Sequence, residues 1–115
     1  MKTKTRDNLL LEFRRGNIIM AVLTALQHER YGYELHSIMS RHGMEIEEFT
    51  LYPLLRRLER HGLLQSEWRI DSNRPKRFYR LSRQGQATLK EMLPIWRGIN
   101  ASVESIYKEA SNESA

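Results

Sequence analysis

The sequence predicts a mainly α-helical chain with a small β-hairpin, laid out as a winged helix-turn-helix followed by a C-terminal dimerisation helix. Three observations lead there. Apolar residues recur at helical spacing in three short segments. A stretch of strict alternation, broken by turn-forming residues, then reads as a hairpin. A last, longer helical stripe carries more apolar surface than one small domain can cover.

The elements follow in order. Residues Met1 to Asn8 are polar, and Leu9, Leu10, Leu11 and Phe13 form an apolar patch too short to be stable alone. Residues 1–15 are therefore expected as an arm or short helix. Ile19, Val22, Leu23 and Leu26 mark a first clear helix after Gly16, ending near His28. Tyr31, Leu35, Ile38 and Met39 mark a second, with Gly43 as its stop. Leu51, Leu54, Leu55 and Leu58 mark a third, with Pro53 expected in its first turn and Gly62-Leu63 as its stop. Leu64, Ser66, Trp68 and Ile70 alternate with polar residues, Asp71 to Pro75 make the turn, and Arg77, Tyr79 and Leu81 return. Ser82 caps a final helix. The winged domain is thus expected at 16–81, the dimerisation helix at 82–110 and a frayed tail at 111–115.

Composition narrows the function. The chain has 115 residues, no cysteine and a formal net charge of +5. Disulfides, thiolate catalysis and Cys-type zinc sites are excluded. His28, His36, His42 and His61 lack metal-ligand spacing, and no glycine-rich phosphate loop is present. No cofactor and no enzymatic role are expected. The longest apolar run, Ile18 to Leu23, is far too short to span a bilayer, and charge and apolar residues alternate too finely for a membrane-surface protein. No signal peptide is read, and a cytoplasmic location is expected.

The basic surplus is concentrated in two adjacent elements. On the third helix the leucine stripe faces the core, so Pro53, Arg56, Arg57 and Arg60 must face away, with Thr50 and Tyr52 flanking. A helix read in a major groove needs such a face, since arginine pairs with guanine or clamps phosphate. From Arg69 to Arg83 the hairpin carries Arg69, Arg74, Lys76, Arg77, Arg80 and Arg83 against the single acid Asp71. A basic wing beside a basic helix suits double-stranded DNA. A short turn, Met44 to Glu47, leads into this helix. Glu45, Glu47 and Glu48 precede Phe49; they suit a helix N-terminus but repel phosphate. Phe49 projects toward the exposed side, to touch a thymine methyl or, the preferred expectation, to pack on the second helix.

The stripe of Leu89, Leu93, Trp96, Ile99, Val103 and Ile106, with Leu10 and Phe13 of the arm, is expected to meet a second copy of the chain. Trp96 is also the one candidate for contact with a small aromatic or hydrophobic effector, against plain dimer core.

Several motifs together resemble the PadR family, the phenolic-acid-decarboxylase-repressor type of bacterial regulator. They are Tyr31-Gly32-Tyr33-Glu34-Leu35, Thr50 to Glu59, Gly62-Leu63-Leu64, Arg77-Phe78-Tyr79-Arg80-Leu81-Ser82 and Gly85. The resemblance spans roughly residues 16–100 and fits the shorter class with a single C-terminal helix. It implies a homodimeric winged-helix repressor, often released by a small ligand. It places Thr50, Tyr52, Pro53 and Arg56 at the DNA-facing start of the recognition helix, and Lys76 and Arg77 at the wing. The competing reading is a winged helix that binds proteins and no specific DNA.

Overall fold

In a computed structural model, which describes residues 3–114, helical periodicity and turn chemistry resolve into four helices and three strands. In chain order these are α1 (Thr3–Ala25), β1 (Arg30–Tyr31), α2 (Gly32–Arg41), α3 (Glu48–Arg60), β2 (Leu64–Asp71), β3 (Arg74–Leu81) and α4 (Arg83–Ser114). The expectations for Met1, Lys2 and Ala115 lie outside the described residues.

The leucine stripes fix the packing. Val22, Leu23 and Leu26 meet Leu35 and Met39 of α2 and Leu51, Leu55 and Leu58 of α3 in one core, closed by Leu64, Tyr79, Leu81 and Leu89. Both helices of the helix-turn-helix stop as their glycines predict. Gly43 and Gly62 take left-handed φ of 87° and 82°. Met44 N–H then reaches back to Met39 O at 2.8 Å and Leu63 N–H to Leu58 O at 3.0 Å, the six-to-one bond of a Schellman motif. His36 Nε2 donates to Ile46 O at 2.7 Å and so pins the loop between α2 and α3.

Four expectations are corrected. The arm and first helix are one 23-residue helix, because Gly16 is exposed and only weakens a helix that lacks proline. The sheet has a third strand: Arg30 and Tyr31 pair with Tyr79 and Phe78, so Tyr31 precedes α2 instead of lying on its stripe. The hairpin turn shrinks to Ser72 and Asn73, both at positive φ, so pairing runs out to Asp71↔Arg74. Finally, Ser111 to Ser114 continue α4 and do not fray.

The start of α4 is built on the end of α3. Ser82 Oγ accepts from Gly85 N–H at 2.9 Å, an N-cap bond, and itself donates to Gly62 O. Gly85 sits so close to Leu63 O that an added Cβ would lie 2.0 Å from it. This contact docks α4 against the wing's root. Beyond it, α4 leaves the domain, and every residue from Pro94 to Glu113 is exposed.

Candidate nucleic-acid interface

Glu48 opens α3, directly after the turn expected over Met44 to Glu47. Pro53 is its sixth residue and lies in the second turn, not the first. With no N–H at Pro53, the Phe49 carbonyl loses its helical donor on the outward side. Opposite the buried leucines, Phe49, Pro53, Arg56 and Arg60 follow one another at spacings of four and three, all exposed. Phe49 is 77% exposed, so the expectation that it packs on α2 is corrected. It stands at the middle of the outward face, where the helical wheel projects it. Thr50 is exposed, while Arg57 is half-buried. Both line a groove of about 980 Å³ between α3 and α1, together with Arg14, Arg15 and Arg60.

On its other flank α3 is tied to the sheet. Tyr52 is half-buried, with its ring over Gly32, where an added Cβ would come within 2.9 Å. Burial, then the charge of Glu48, pushes its hydroxyl pKa up. Glu59 accepts from Ser66 Oγ at 2.7 Å and from Arg77 Nη2 at 2.9 Å, and Arg77 Nε donates to Ser66 Oγ at 3.0 Å. This closed triangle joins recognition helix to wing.

The wing's charge is therefore largely spent within the fold. Arg77 pairs with Glu59, Lys76 with Asp71 at 3.1 Å, Arg80 with Glu29 at 3.4 Å, and Arg69 with both Glu29 and Glu67. Lys76 also lies 4.3 Å from the Tyr31 ring centre, and its bond to Asp71 raises its pKa. Among the described residues, Arg56, Arg57, Arg60 and Arg74 have no carboxylate in ion-pair range. Of the nine expected DNA-binding residues, then, these four hold free cations, whereas Lys76 and Arg77 brace the wing.

The expected dimer residues divide likewise. Leu89 is buried in the chain's own core and leaves the dimer face, a correction, and Leu93 packs beside it. Leu10, Phe13, Trp96, Ile99, Val103 and Ile106 are exposed. Trp96 Nε1 donates to Asn17 Oδ1 at 3.1 Å, which fixes α4 against α1. Its ring borders an apolar cavity of about 750 Å³ shared with Phe13, Asn17, Ile18, Met39 and Leu93. Among the described residues, no cluster of His, Asp or Glu could hold a metal, and no helix is long and apolar enough to cross a membrane.

A helix-turn-helix with an outward cationic helix and a braced β-wing defines a winged-helix nucleic-acid-binding protein. The model of the transcriptional regulator PadR-like family matches residues 19–91, and the chain belongs to that family. It is a DNA-binding transcriptional regulator and not an enzyme. Transcriptional regulator Rv3488 of Mycobacterium tuberculosis is 42% identical over 81 residues, covering 70% of this chain and 76% of its own. The crystal structure of a PadR family transcriptional regulator from Eggerthella lenta superposes with TM-score 0.76 at 39% identity, over 90% of this chain and 92% of that one. Bacillus subtilis PadR, solved in complex with operator DNA, shares the fold at TM-score 0.59 and 24% identity, over 64% of this chain and 44% of that one.

Proposed function

We propose that the chain acts as a homodimeric repressor that reads a palindromic operator with two copies of α3. The observation that carries this reading is the outward row of Phe49, Pro53, Arg56 and Arg60, whose arginines stay unpaired while Arg69, Lys76, Arg77 and Arg80 of the wing are each paired with a carboxylate. Free guanidinium groups on a convex helix are available to guanine edges and phosphates. Thr50 and Arg57 serve the α1-side strand of the duplex, and Arg74 serves the wing tip.

Dimerisation is supported by the exposed apolar row on α4 and the patch on α1, since contiguous apolar surface of this kind marks a protein–protein interface. Two-fold symmetry would then set the recognition helices roughly 34 Å apart, one turn of DNA. Release by a small planar aromatic or hydrophobic effector is supported by the cavity at Trp96, whose size falls within the range of about 300–1,000 Å³ usual for small-molecule sites. A regulator of this kind works in the cytoplasm, on the chromosome.

The test is selection of bound duplexes from a random pool at near-physiological salt. Enrichment of a two-fold-symmetric site is the expected result. Binding without enrichment, fading uniformly as salt rises, would instead leave a polyanion-binding or protein-binding winged helix.

A further inference from the structure

The first turn of α3 carries charge of the wrong sign for a phosphate strand, and an apolar ring at its centre. Glu45, Glu47 and Glu48 are all exposed around it. Phe49 stands among them, more exposed than any other large apolar side chain among the described residues. Four positions on, Pro53 is exposed on the same outward row and brings no polar side-chain group either. The buried stripe begins at Leu51, on the opposite side of the helix, so the ring adds nothing to the core. Phe49 shares the groove toward α1 with Leu11 and Ile18, yet most of its surface stays in water. The first turn therefore presents an apolar side chain where the rest of the outward row presents guanidinium groups.

We infer that Phe49 determines specificity for thymine: its ring covers the C5-methyl group of a thymine on the floor of the major groove entered by α3. This rests on the DNA-binding reading above and names the base that the start of the helix selects. Position and chemistry both point there. The N-terminal residues of a groove-entering helix are the ones that reach base edges, and Phe49 is the second residue of α3. It is continuous with the row that ends in Arg56 and Arg60. The three carboxylates repel the backbone strands and so favour the middle of the groove for this end of the helix. In that groove guanine, cytosine and adenine present donors and acceptors, and thymine alone adds a methyl group. A ring without polar atoms, laid on the other edges, strips water from groups it cannot bond, whereas on thymine it covers carbon. Phe49 and Arg56 lie seven residues apart, roughly 10 Å along the helix axis. That is about three base steps of 3.4 Å, so the thymine is expected about three pairs from a guanine taken by Arg56.

The decisive experiment removes the methyl group and nothing else. In the duplex enriched by the selection, each thymine of the half-site is replaced in turn by uracil, at the symmetric position in both halves. Affinity is then measured for the full chain, unaltered and as Phe49→Ala. At one position uracil is expected to weaken the unaltered chain by about 4-fold per half-site, or about 15-fold in all, the loss of one covered methyl group in each. In Phe49→Ala the same uracil should cost nothing, because ring and methyl are already apart. Phe49→Leu, which keeps an apolar side chain, should keep part of the sensitivity. The slope of log K against log salt should be the same for all three proteins, since no phosphate contact is lost. A second selection with Phe49→Ala should lose the preference at that A·T pair and keep the rest of the site. The ring is exposed, so the melting temperature should not move. A lower melting temperature in Phe49→Ala with the uracil effect retained would overturn the inference in favour of a packing role. No uracil effect at any position in the unaltered chain, or the same effect in Phe49→Ala, would overturn the methyl contact and leave the DNA reading standing. Failure to enrich any two-fold-symmetric duplex would overturn both together.

Discussion

Tyr79 and Arg56 are neighbours with opposite duties. Tyr79 is buried under the wing, and burial is the main reason its hydroxyl pKa is raised; nearby Arg77 and Arg56 lower it and Glu59 raises it. Tyr52 is raised in the same direction. A folded-state pKa above the unfolded one means that the folded chain holds its proton longer. The stability these tyrosines contribute is therefore complete below about pH 10, the ordinary tyrosine value, and drains as pH climbs through the folded value. Thermal melts should be flat in this respect at neutral pH and fall above about pH 10, and Tyr79→Phe should blunt that alkaline fall. A fall of equal steepness in Tyr79→Phe would assign it to other groups. The arginines separate just as cleanly. Arg56→Ala is expected to weaken specific DNA binding by about 1–3 kcal/mol with little change in melting, as measured on operator and scrambled duplexes. A matching loss on both duplexes would mark Arg56 as a phosphate contact, not a base reader. Arg77→Ala is expected to lower stability by about 1–2 kcal/mol, because Glu59 and Ser66 lose their partner between helix and wing. Both residues look alike in sequence. Their difference lies in Glu59, eighteen positions from Arg77, and charge counted along a strand cannot reveal a partner on another element.

At the scale of elements, the parts with a strong local period were legible and the joints were not. The stripe Leu51, Leu54, Leu55 and Leu58 is buried as its spacing predicts, and the two glycine stops and the Ser82 cap sit where turn chemistry places them. β1 escaped because two residues carry no period; it exists only because the Tyr31 backbone happens to meet Phe78. The start of α3 at Glu48 agrees with the expected turn over Met44 to Glu47, but the place of Pro53 within the helix escaped because Glu48 and Phe49 face outward and leave no mark in an apolar stripe. The joint between α3, the wing and α4 is made from Gly62, Leu63, Ser82 and Gly85, and it is the place where a small change should do most harm. Gly85→Ala puts a methyl group against the Leu63 carbonyl, an overpacking expected to destabilise by about 1–3 kcal/mol. Ser82→Ala removes only the cap and should cost about 0.5–2 kcal/mol. Urea unfolding of the two variants tests the order: Gly85→Ala as mild as a surface change would mean that α4 shifts freely on its seat.

For the whole molecule, shape argues for a partner. The radius of gyration is 17.3 Å and the longest extent 62 Å, whereas a compact domain of this length would have a radius of about 13 Å. The excess comes from the first half of α1 and the last twenty residues of α4, which project with Leu10, Phe13, Ile99, Val103 and Ile106 in water. An isolated helix of that length is marginal, and each such side chain gains about 1.5–3 kcal/mol when covered. The sequence disclosed the apolar row but not its division, since Leu89 and Leu93 share its spacing and yet serve the chain's own core. The outer half alone is the expected interface. Ile99→Asp/Ile106→Asp, which sets like charges on that half without touching the core, should turn a dimer into a monomer in sedimentation equilibrium at micromolar concentration. The helical signal should fall as the outer half of α4 unwinds, while the winged domain keeps its own unfolding transition. Because a monomer offers one α3 in place of two, affinity for the two-fold site should drop to that for a half-site. An unaltered chain that sediments as a monomer yet binds the full site with undiminished affinity would remove the dimer from the mechanism and leave the exposed row of α4 for a different partner.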